Sequence, residues 1–349
     1  MRFSNSACES MAICEKGTSP VAFALSGQEW ESFFTPGDRL TLPERFPTAV
    51  ILPEKISEPD LVERINESGC RVLVGGWSLP PLPTDRAAFP GLEYVCYLAG
   101  GIRRKIPRSL LEQGLLVSNW GNSIARTVAE CGLLLLLMCY REASHWQIRM
   151  HQKGAFKSGC EKGNLSLFQR RIGIHGFGAV AQALTDLLRP FHVEIAAYSP
   201  WPDDAVFAAK GVRRFASLEQ LFEWSDAVVE AEACSSQTIR SVKELHLRLL
   251  GDGVFVNIAR AELVEEDALI RVAREGRLKL GLDVYHQEPL PADYPLRGLS
   301  NVALLPHLGG PTWDRRVDAG ALALKNISRF LEGRPVEFPI SLEQYDRMT

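Results

Sequence analysis

Short apolar runs alternate with polar, helix-like stretches along most of this 349-residue chain, in two successive series. Apolar runs of about four to eight residues between turn residues are typical of buried strands. In the first series they lie at 21–25, 48–52, 71–77, 93–100 and 115–119. In the second they lie at 171–178, 193–198, 226–233, 253–259, 278–285 and 301–307. The alternation predicts parallel α/β sheets, and the second series has the strand count of a complete doubly wound nucleotide-binding domain.

The remaining segments predict helices and a linker. Residues 123–154 read as one long helix that ends near Gly154, residues 156–171 as a linker, and residues 313–335 as an amphipathic helix. The most apolar part of the long helix, 131–140, is too short to cross a bilayer. The N-terminal stretch is polar and lacks the apolar core of a signal peptide. We therefore expect a soluble, cytoplasmic protein.

The net charge and the spacing of the cysteines limit which partners, disulfides and metal sites the sequence predicts. The formal net charge of −3 gives no electrostatic reason to expect a nucleic acid or a membrane surface. The eight cysteines form no C-x-x-C pair and are scattered through apolar segments, at positions 8, 14, 70, 96, 131, 139, 160 and 234. This spacing predicts buried free thiols in a reducing compartment and no metal site.

A glycine-rich turn opens the second series. The stretch GIHGFGAVA reads G-x-G-x-x-A from Gly176, follows an apolar strand and begins a helix-like segment. In a dinucleotide-binding turn, Gly176 would make the tight turn, Gly178 would let a pyrophosphate approach the backbone, and Ala181 would allow close packing of helix on sheet. Phe177, Ala179 and Val180 complete this candidate site. The alternative is an ordinary tight turn between strand and helix, with no nucleotide.

The end of the next strand leaves the identity of the dinucleotide open. NAD-binding domains usually carry Asp or Glu there for the ribose hydroxyl groups, whereas this strand ends at Ser199. A serine removes the negative charge that would repel the 2′-phosphate of NADP, but no arginine follows immediately. Arg213 and Arg214 are more distant candidates for that role. The sequence is compatible with NAD or NADP, with NAD slightly favoured.

Polar residues follow three later strands of the same series. Arg260 comes after the strand at 253–259, Asp283 and Glu288 follow the next strand, and His307 ends the last one. Ligand and catalytic groups collect at the carboxyl ends of strands in such sheets.

Together these stretches resemble the D-isomer-specific 2-hydroxyacid dehydrogenase family. The resemblance runs from about residue 70 to 335 and is dense from 171 to 311. There the glycine turn, V-N-I-A-R, L-D-V-Y-H-Q-E-P and L-P-H-L-G-G occur in the order of the family. It implies two doubly wound, Rossmann-like parallel-sheet domains. The dinucleotide-binding domain, 119–314, would be inserted in a discontinuous substrate domain, 1–118 and 315–349. It also implies a homodimer, with the helix around 131–140 packed at the domain junction and at the dimer interface.

The resemblance also implies an NAD(P)-dependent exchange of hydride between nicotinamide and a small D-2-hydroxy acid or 2-oxo acid. Arg260 would hold the substrate carboxylate and polarise the carbonyl, because its guanidinium offers two parallel donors. His307 would be the general acid and base, and Glu288 would orient its ring and favour the protonated form. Asp283 would bind the nicotinamide carboxamide. Further substrate contacts would come from Gly100, Gly101 and Ser123, and further cofactor contacts from Ser199, Cys234, Ile258 and Ala259.

The chain departs from the pattern of the family at several positions. Glu232-Ala233-Cys234 stands where the family has H-x-P, and Ala261 stands where glycine is usual after the arginine. Arg103 and Arg104 replace an acidic–polar pair, which leads to the hypothesis of a more acidic or phosphorylated substrate. A second possible function is a non-catalytic, NAD(H)-sensing binding protein on the same fold, like the C-terminal-binding-protein corepressors.

Overall fold

The computed structural model describes residues 20–157 and 162–347, which form two compact units. The first unit comprises the described residues up to Gly121 together with Arg316–Asp346. The second comprises those from Asn122 to Arg315, with Arg347. Each unit contains one sheet in which every strand pair is parallel. The predicted class, two Rossmann-like parallel-sheet domains, is confirmed.

The sheet of the first unit has the order β2-β1-β3-β4-β5. Its strands are β1 (Val21–Ala24), β2 (Val50–Ile51), β3 (Val72–Gly75), β4 (Tyr94–Tyr97) and β5 (Leu116–Ser118). The helices between them are α1 (Gly27–Phe33), α2 (Pro36–Arg45), α3 (Glu58–Glu67) and α4 (Arg108–Glu112).

The second unit begins with α5 (Ala125–Tyr140) and α6 (Ala143–Lys153) and contains a sheet of order β12-β11-β10-β9-β6-β7-β8. Its strands are β6 (Arg171–His175), β7 (Glu194–Tyr198), β8 (Arg213–Arg214), β9 (Ala227–Glu230), β10 (Val254–Asn257), β11 (Lys279–Leu282) and β12 (Val302–Leu304). Its other helices are α7 (Ala179–Leu188), α8 (Asp204–Ala209), α9 (Leu218–Trp224), α10 (Glu244–Leu249) and α11 (Glu266–Arg274). The chain then returns to the first unit with α12 (Arg316–Leu331) and α13 (Leu342–Arg347).

The predicted long helix over 123–154 is wrong, because α5 ends at Tyr140 and α6 begins at Ala143. Glu142 between them has a left-handed backbone with φ 51°, which an α-helix cannot continue through. Arg141 supports the break, since its Nε donates to the side-chain oxygen of Asn164 over 2.6 Å. Gly154, with φ 59°, ends α6 at the predicted position. The part of the predicted linker at 158–161 lies outside the described residues.

The cysteines that the structure describes are buried, and the helix that contains the apolar run 131–140 packs within the second unit. The five cysteines that the structure describes are free and buried: Cys70, Cys96, Cys131, Cys139 and Cys234. Cys8, Cys14 and Cys160 lie outside the described residues, as do residues 1–19 of the polar N-terminal stretch. In the second unit α5 packs against α7 and against β10, β11 and β12. No helix within 20–157 or 162–347 is long and apolar enough to cross a membrane.

The carboxyl ends of the parallel strands in the second unit meet at one edge of its sheet. Six segments with candidate site residues leave that edge, after β6, β7, β9, β10, β11 and β12. Since β10, β11 and β12 are consecutive neighbours, Arg260, Asp283 and His307 follow three adjacent strands.

Candidate active site

The glycine turn after β6 is shaped to expose backbone to an anion. Gly176 has φ 94°, and a Cβ there would lie 2.6 Å from the backbone N of Glu232. Any other residue would be strained and would collide with that backbone. A Cβ at Gly178 would meet nothing within 4 Å, so the backbone at the start of α7 is open to approach. Bare N–H groups at the start of a ten-residue helix fit a pyrophosphate.

The other residues predicted in this turn either pack in the core or form the first turn of α7. Phe177 is buried, and its ring stacks on Phe207 with the centroids 4.4 Å apart. Ala179 and Val180 form the first turn of α7, and Ala181 is fully buried, as close packing of helix on sheet requires. The turn therefore leaves the backbone at Gly178 exposed, while Phe177 and Ala181 anchor it in the core.

Ser199, at the end of β7, lies against a carboxylate from another strand. Its hydroxyl donates to Oε2 of Glu232 over 2.7 Å, while Oε1 of Glu232 accepts from the Ala233 N–H over 2.8 Å. Burial raises the pKa of Glu232, and the hydrogen bonds from Ser199 and Ala233 oppose that rise. Ser199 was predicted as a cofactor residue at a position without a carboxylate, and Glu232 was given no role. The sequence did contain a sign of this site, because Glu230 and Glu232, in the stretch E-A-E, end an apolar strand with two acidic residues.

A buried histidine–glutamate pair lies next to the same turn. His175 and Glu230 are register partners on β6 and β9, and Nδ1 of His175 lies 2.6 Å from Oε2 of Glu230. Burial disfavours the charged ring, but the charge and hydrogen bond of Glu230 dominate, and the pKa of His175 is raised. Oε1 of Glu230 also accepts from the Glu232 N–H over 3.0 Å. The pair thus fixes the backbone from which Glu232 projects.

His307 and Glu288, which are 19 positions apart, come together at the edge beside β12. Nδ1 of His307 lies 2.8 Å from Oε2 of Glu288, and Oε1 of Glu288 accepts from the Tyr285 N–H over 3.1 Å. Since an ionised carboxylate only accepts, Nδ1 of His307 carries the proton in this bond. Nε2, on the opposite side of the ring, is then the nitrogen able to exchange a proton with a ligand. The His307 side chain is 43% exposed, so solvent or a substrate can reach it.

Asp283 holds the turn that presents His307. Its Oδ1 accepts from the Leu308 N–H over 2.7 Å, and its Oδ2 accepts from the Gly309 N–H over 2.8 Å. Its carbonyl oxygen accepts from the His307 N–H over 2.9 Å. His307 itself has φ 54°, an unfavourable conformation for histidine that these bonds maintain. Burial raises the pKa of Asp283, and the backbone donors Gly309 and Leu308 oppose that rise. Sequence reasoning did not anticipate this supporting role.

We expect Asp283→Asn to lower the free energy of unfolding by about 1.5–3 kcal/mol. The amide NH₂ would face a backbone N–H where a carboxylate oxygen now accepts, which leaves buried donors unsatisfied. Denaturant unfolding measures the loss, and a turnover number that falls more than dinucleotide affinity would indicate a displaced His307. Asp252→Asn is the matched control, because Asp252 is exposed and forms a surface ion pair with Arg277. Wild-type stability of Asp283→Asn would contradict this role.

Arg260 is positioned by the turn that follows β10. The buried Asn257 side chain donates to the Arg260 carbonyl over 2.9 Å and accepts from the Ala259 N–H over 3.0 Å. The guanidinium Nη1 of Arg260 donates to the Ala259 carbonyl over 2.7 Å. Ile258 is buried in the core. Ala261 begins a 3₁₀ turn over Ala261–Leu263, and the right-handed backbone of such a turn accepts alanine as well as glycine.

The first unit holds the predicted substrate loop after β4. A Cβ at Gly100 would lie 2.5 Å from the ring of Trp120, so this packing requires glycine whatever else the loop binds. The Gly100 carbonyl accepts from the Asn119 side chain over 2.8 Å. Gly101 and both arginines at 103 and 104 are exposed. Substrate contacts of Gly100, Gly101 and Ser123 stay predictions.

Comparison with known proteins gives one family. A family model described as "D-isomer specific 2-hydroxyacid dehydrogenase, NAD binding domain" matches residues 133–309. Human glyoxylate reductase/hydroxypyruvate reductase is 30% identical over 266 residues, 73% of this chain and 79% of that protein. Glyoxylate reductase of Korarchaeum cryptofilum is 28% identical over 285 residues, 79% of this chain and 84% of that protein.

Solved structures share the fold. The NADPH-dependent glyoxylate/hydroxypyruvate reductase of Sinorhizobium meliloti superposes with a TM-score of 0.72 at 24% identity. The match covers 93% of this chain and 98% of that one. At this identity the likeness concerns the fold alone.

Proposed function

This chain belongs to the D-isomer specific 2-hydroxyacid dehydrogenase family, and we propose that it reduces a small 2-oxo acid to the D-2-hydroxy acid, or catalyses the reverse. The observation that carries the proposal is the pairing of His307 with Glu288 beside β12, two strands from Arg260 at the same sheet edge. A proton-transfer group and a carboxylate-binding group at the same edge of one sheet are what reduction of a 2-oxo acid requires.

The turn from Gly176 to Val180 would hold the pyrophosphate, and the carboxylate of Asp283 would bind the nicotinamide carboxamide. Further cofactor contacts would come from Ser199, Cys234, Ile258 and Ala259. The bound dinucleotide supplies or accepts the hydride. Of the two dinucleotides we propose NAD. Arg214, the arginine that contacts residue 199, already donates to the Ser199 carbonyl over 3.0 Å and pairs with Asp204 over 2.6 Å.

The residues of the chain account for substrate binding and proton transfer. Arg260 binds the carboxylate with its planar guanidinium and places a positive charge near the substrate carbonyl. As the carbonyl carbon is reduced, Nε2 of His307 gives its proton to the carbonyl oxygen, and solvent then reprotonates the ring. Glu288 stabilises the protonated ring through its bond to Nδ1. Gly100, Gly101 and Ser123 are proposed as further substrate contacts. A homodimer and a cytoplasmic location stay predictions.

A panel of 2-oxo acids tests the proposal directly. Purified protein is assayed with glyoxylate, hydroxypyruvate, pyruvate and phenylpyruvate against NADH and NADPH, by loss of the absorbance of reduced nicotinamide. We expect turnover of at least one acid, with NADH. Dinucleotide binding without turnover of any acid would contradict the proposal and favour the sensor function. A phosphorylated 2-oxo acid in the same panel tests the hypothesis on Arg103 and Arg104, which predicts a lower KM for that substrate.

A further inference from the structure

We propose that Glu232, which follows β9, is the carboxylate that binds the ribose hydroxyl groups in the adenosine half of the dinucleotide and excludes a 2′-phosphate. The inference rests on the proposed function, because it assumes a dinucleotide at the glycine turn. In doubly wound domains that carboxylate stands at the end of the second strand, about 20 residues after the turn. Here that position is Ser199. The structure assigns the missing charge to a residue 33 positions further on.

The carboxylate of Glu232 lies at the end of β7, where doubly wound domains usually carry an acidic residue. The Ser199 hydroxyl bonds Oε2 of Glu232 over 2.7 Å, so a carboxylate oxygen lies within one hydrogen bond of the end of β7. The backbone of Glu232 also passes directly over Gly176, where a Cβ would lie 2.6 Å from its N and Cα atoms. Glu232 therefore lies between the predicted pyrophosphate turn and the end of the second strand.

The carboxylate is held in position and still has capacity to accept hydrogen bonds. Oε1 bonds the Ala233 N–H, Oε2 bonds Ser199, and the Glu232 N–H is fixed by Glu230. A carboxylate oxygen has two acceptor sites, so each oxygen can accept one more O–H. Within the cluster Glu232 is 6% exposed, against 2% for Ser199, 1% for His175 and none for Glu230. Glu232 is thus the member of the cluster with the most access to a ligand.

The surrounding charges favour a sugar hydroxyl over a phosphate. Nδ1 of His175 bonds Glu230 over 2.6 Å, whereas the carboxylate of Glu232 bonds the O–H of Ser199 and the N–H of Ala233, which are both neutral groups. The ionised carboxylate of Glu232 would accept from a ribose hydroxyl and repel the doubly charged 2′-phosphate. Arg214, which could have offset the repulsion, is bonded to Asp204 and to the Ser199 carbonyl.

Equilibrium binding of NADH and NADPH, without substrate, tests the inference by the fluorescence of the reduced nicotinamide. We expect wild type to bind NADH at least about tenfold more tightly than NADPH, and Glu232→Gln to reduce that ratio by about tenfold or more. A merely structural role would weaken both affinities alike and leave their ratio unchanged. Glu194→Gln is the matched control, because Glu194 is exposed at the opposite end of β7 and should leave the ratio at its wild-type value.

Wild type provides a second test that does not depend on the variant folding. Adenosine 5′-monophosphate should displace NADH more strongly than adenosine 2′,5′-bisphosphate, and the reverse order would overturn the inference. An unchanged NADH/NADPH ratio in folded Glu232→Gln would also overturn it. Failure of both dinucleotides to bind wild type would overturn the proposed function together with this inference. The expected binding ratios without turnover of any 2-oxo acid would refute the proposed reaction alone.

Discussion

Replacing His307 with asparagine should lower the turnover number for 2-oxo acid reduction by about 10²- to 10⁴-fold, the usual contribution of a positioned general acid. NADH affinity should change little, because the glycine turn and Glu232 lie on other strands. Asparagine tolerates the left-handed backbone at this position, so the effect reports the lost ring and not a displaced turn. Steady-state kinetics and NADH titration of the same protein separate the two quantities.

His192→Asn is a closely matched control for that change. His192 also has a left-handed backbone, with φ 51° against 54° for His307, but it lies exposed before β7, at the other end of a strand. Replacing His192 therefore makes the same change, from histidine to asparagine on a left-handed backbone, outside the candidate active site. Wild-type turnover by His307→Asn, or an equal loss in His192→Asn, would remove His307 from the mechanism.

The partner of His307 can be examined in the same assay. In Glu288→Gln the amide oxygen can still accept from the Tyr285 N–H, which turns the amide NH₂ toward Nδ1 of His307. That NH₂ is a donor, so it suits a neutral ring and opposes a protonated one. Turnover should fall, although less than in His307→Asn, because the ring itself remains.

The apolar pattern predicted the sheets because buried parallel strands need continuous apolar runs. It did not predict β8, since two exposed arginines at an edge produce no such run. It also joined α5 to α6 across Glu142, where residues on both sides are compatible with helix. The left-handed backbone of Glu142 and the bond from Arg141 to Asn164 beside it are features that local periodicity cannot reveal.

The motifs identified which residues follow which strand, but not the direction of their side chains. Asp283 was recognised as a cofactor residue, while its bonds to the N–H groups after His307 depend on how two separate strand ends meet. Glu232 was noted only as a departure from the family. Its bond to Ser199 crosses from β9 to β7 over the intervening β6, a relation that requires the strand order. Contacts between residues far apart in sequence could not be predicted, because they depend on the order of the strands and on the directions of the side chains.

Arg260→Ala should lower kcat/KM for a 2-oxo acid by about 10²- to 10⁴-fold, the loss of two charge-assisted hydrogen bonds. Arg260→Lys should lower it by about 10- to 100-fold, because lysine keeps the charge but lacks the two parallel donors. Added guanidinium ion should partly restore Arg260→Ala, since the side chain vacates a site of that shape. Arg277→Lys is the control for the chemical change, because Arg277 is an exposed partner of Asp252.

A substrate without the carboxylate tests the same interaction from the side of the ligand. For a 2-oxo amide, which has no carboxylate, wild type should lose most of its advantage over Arg260→Ala, because the interaction that Arg260 contributes is then missing from both. An equal advantage of wild type on the acid and on the amide would show that Arg260 acts elsewhere than on the carboxylate. Equal kcat/KM of wild type and Arg260→Lys on the acid would show that position 260 needs only a positive charge. The bond from Asn257 that fixes this turn would then serve the placement of a charge and not of two parallel donors.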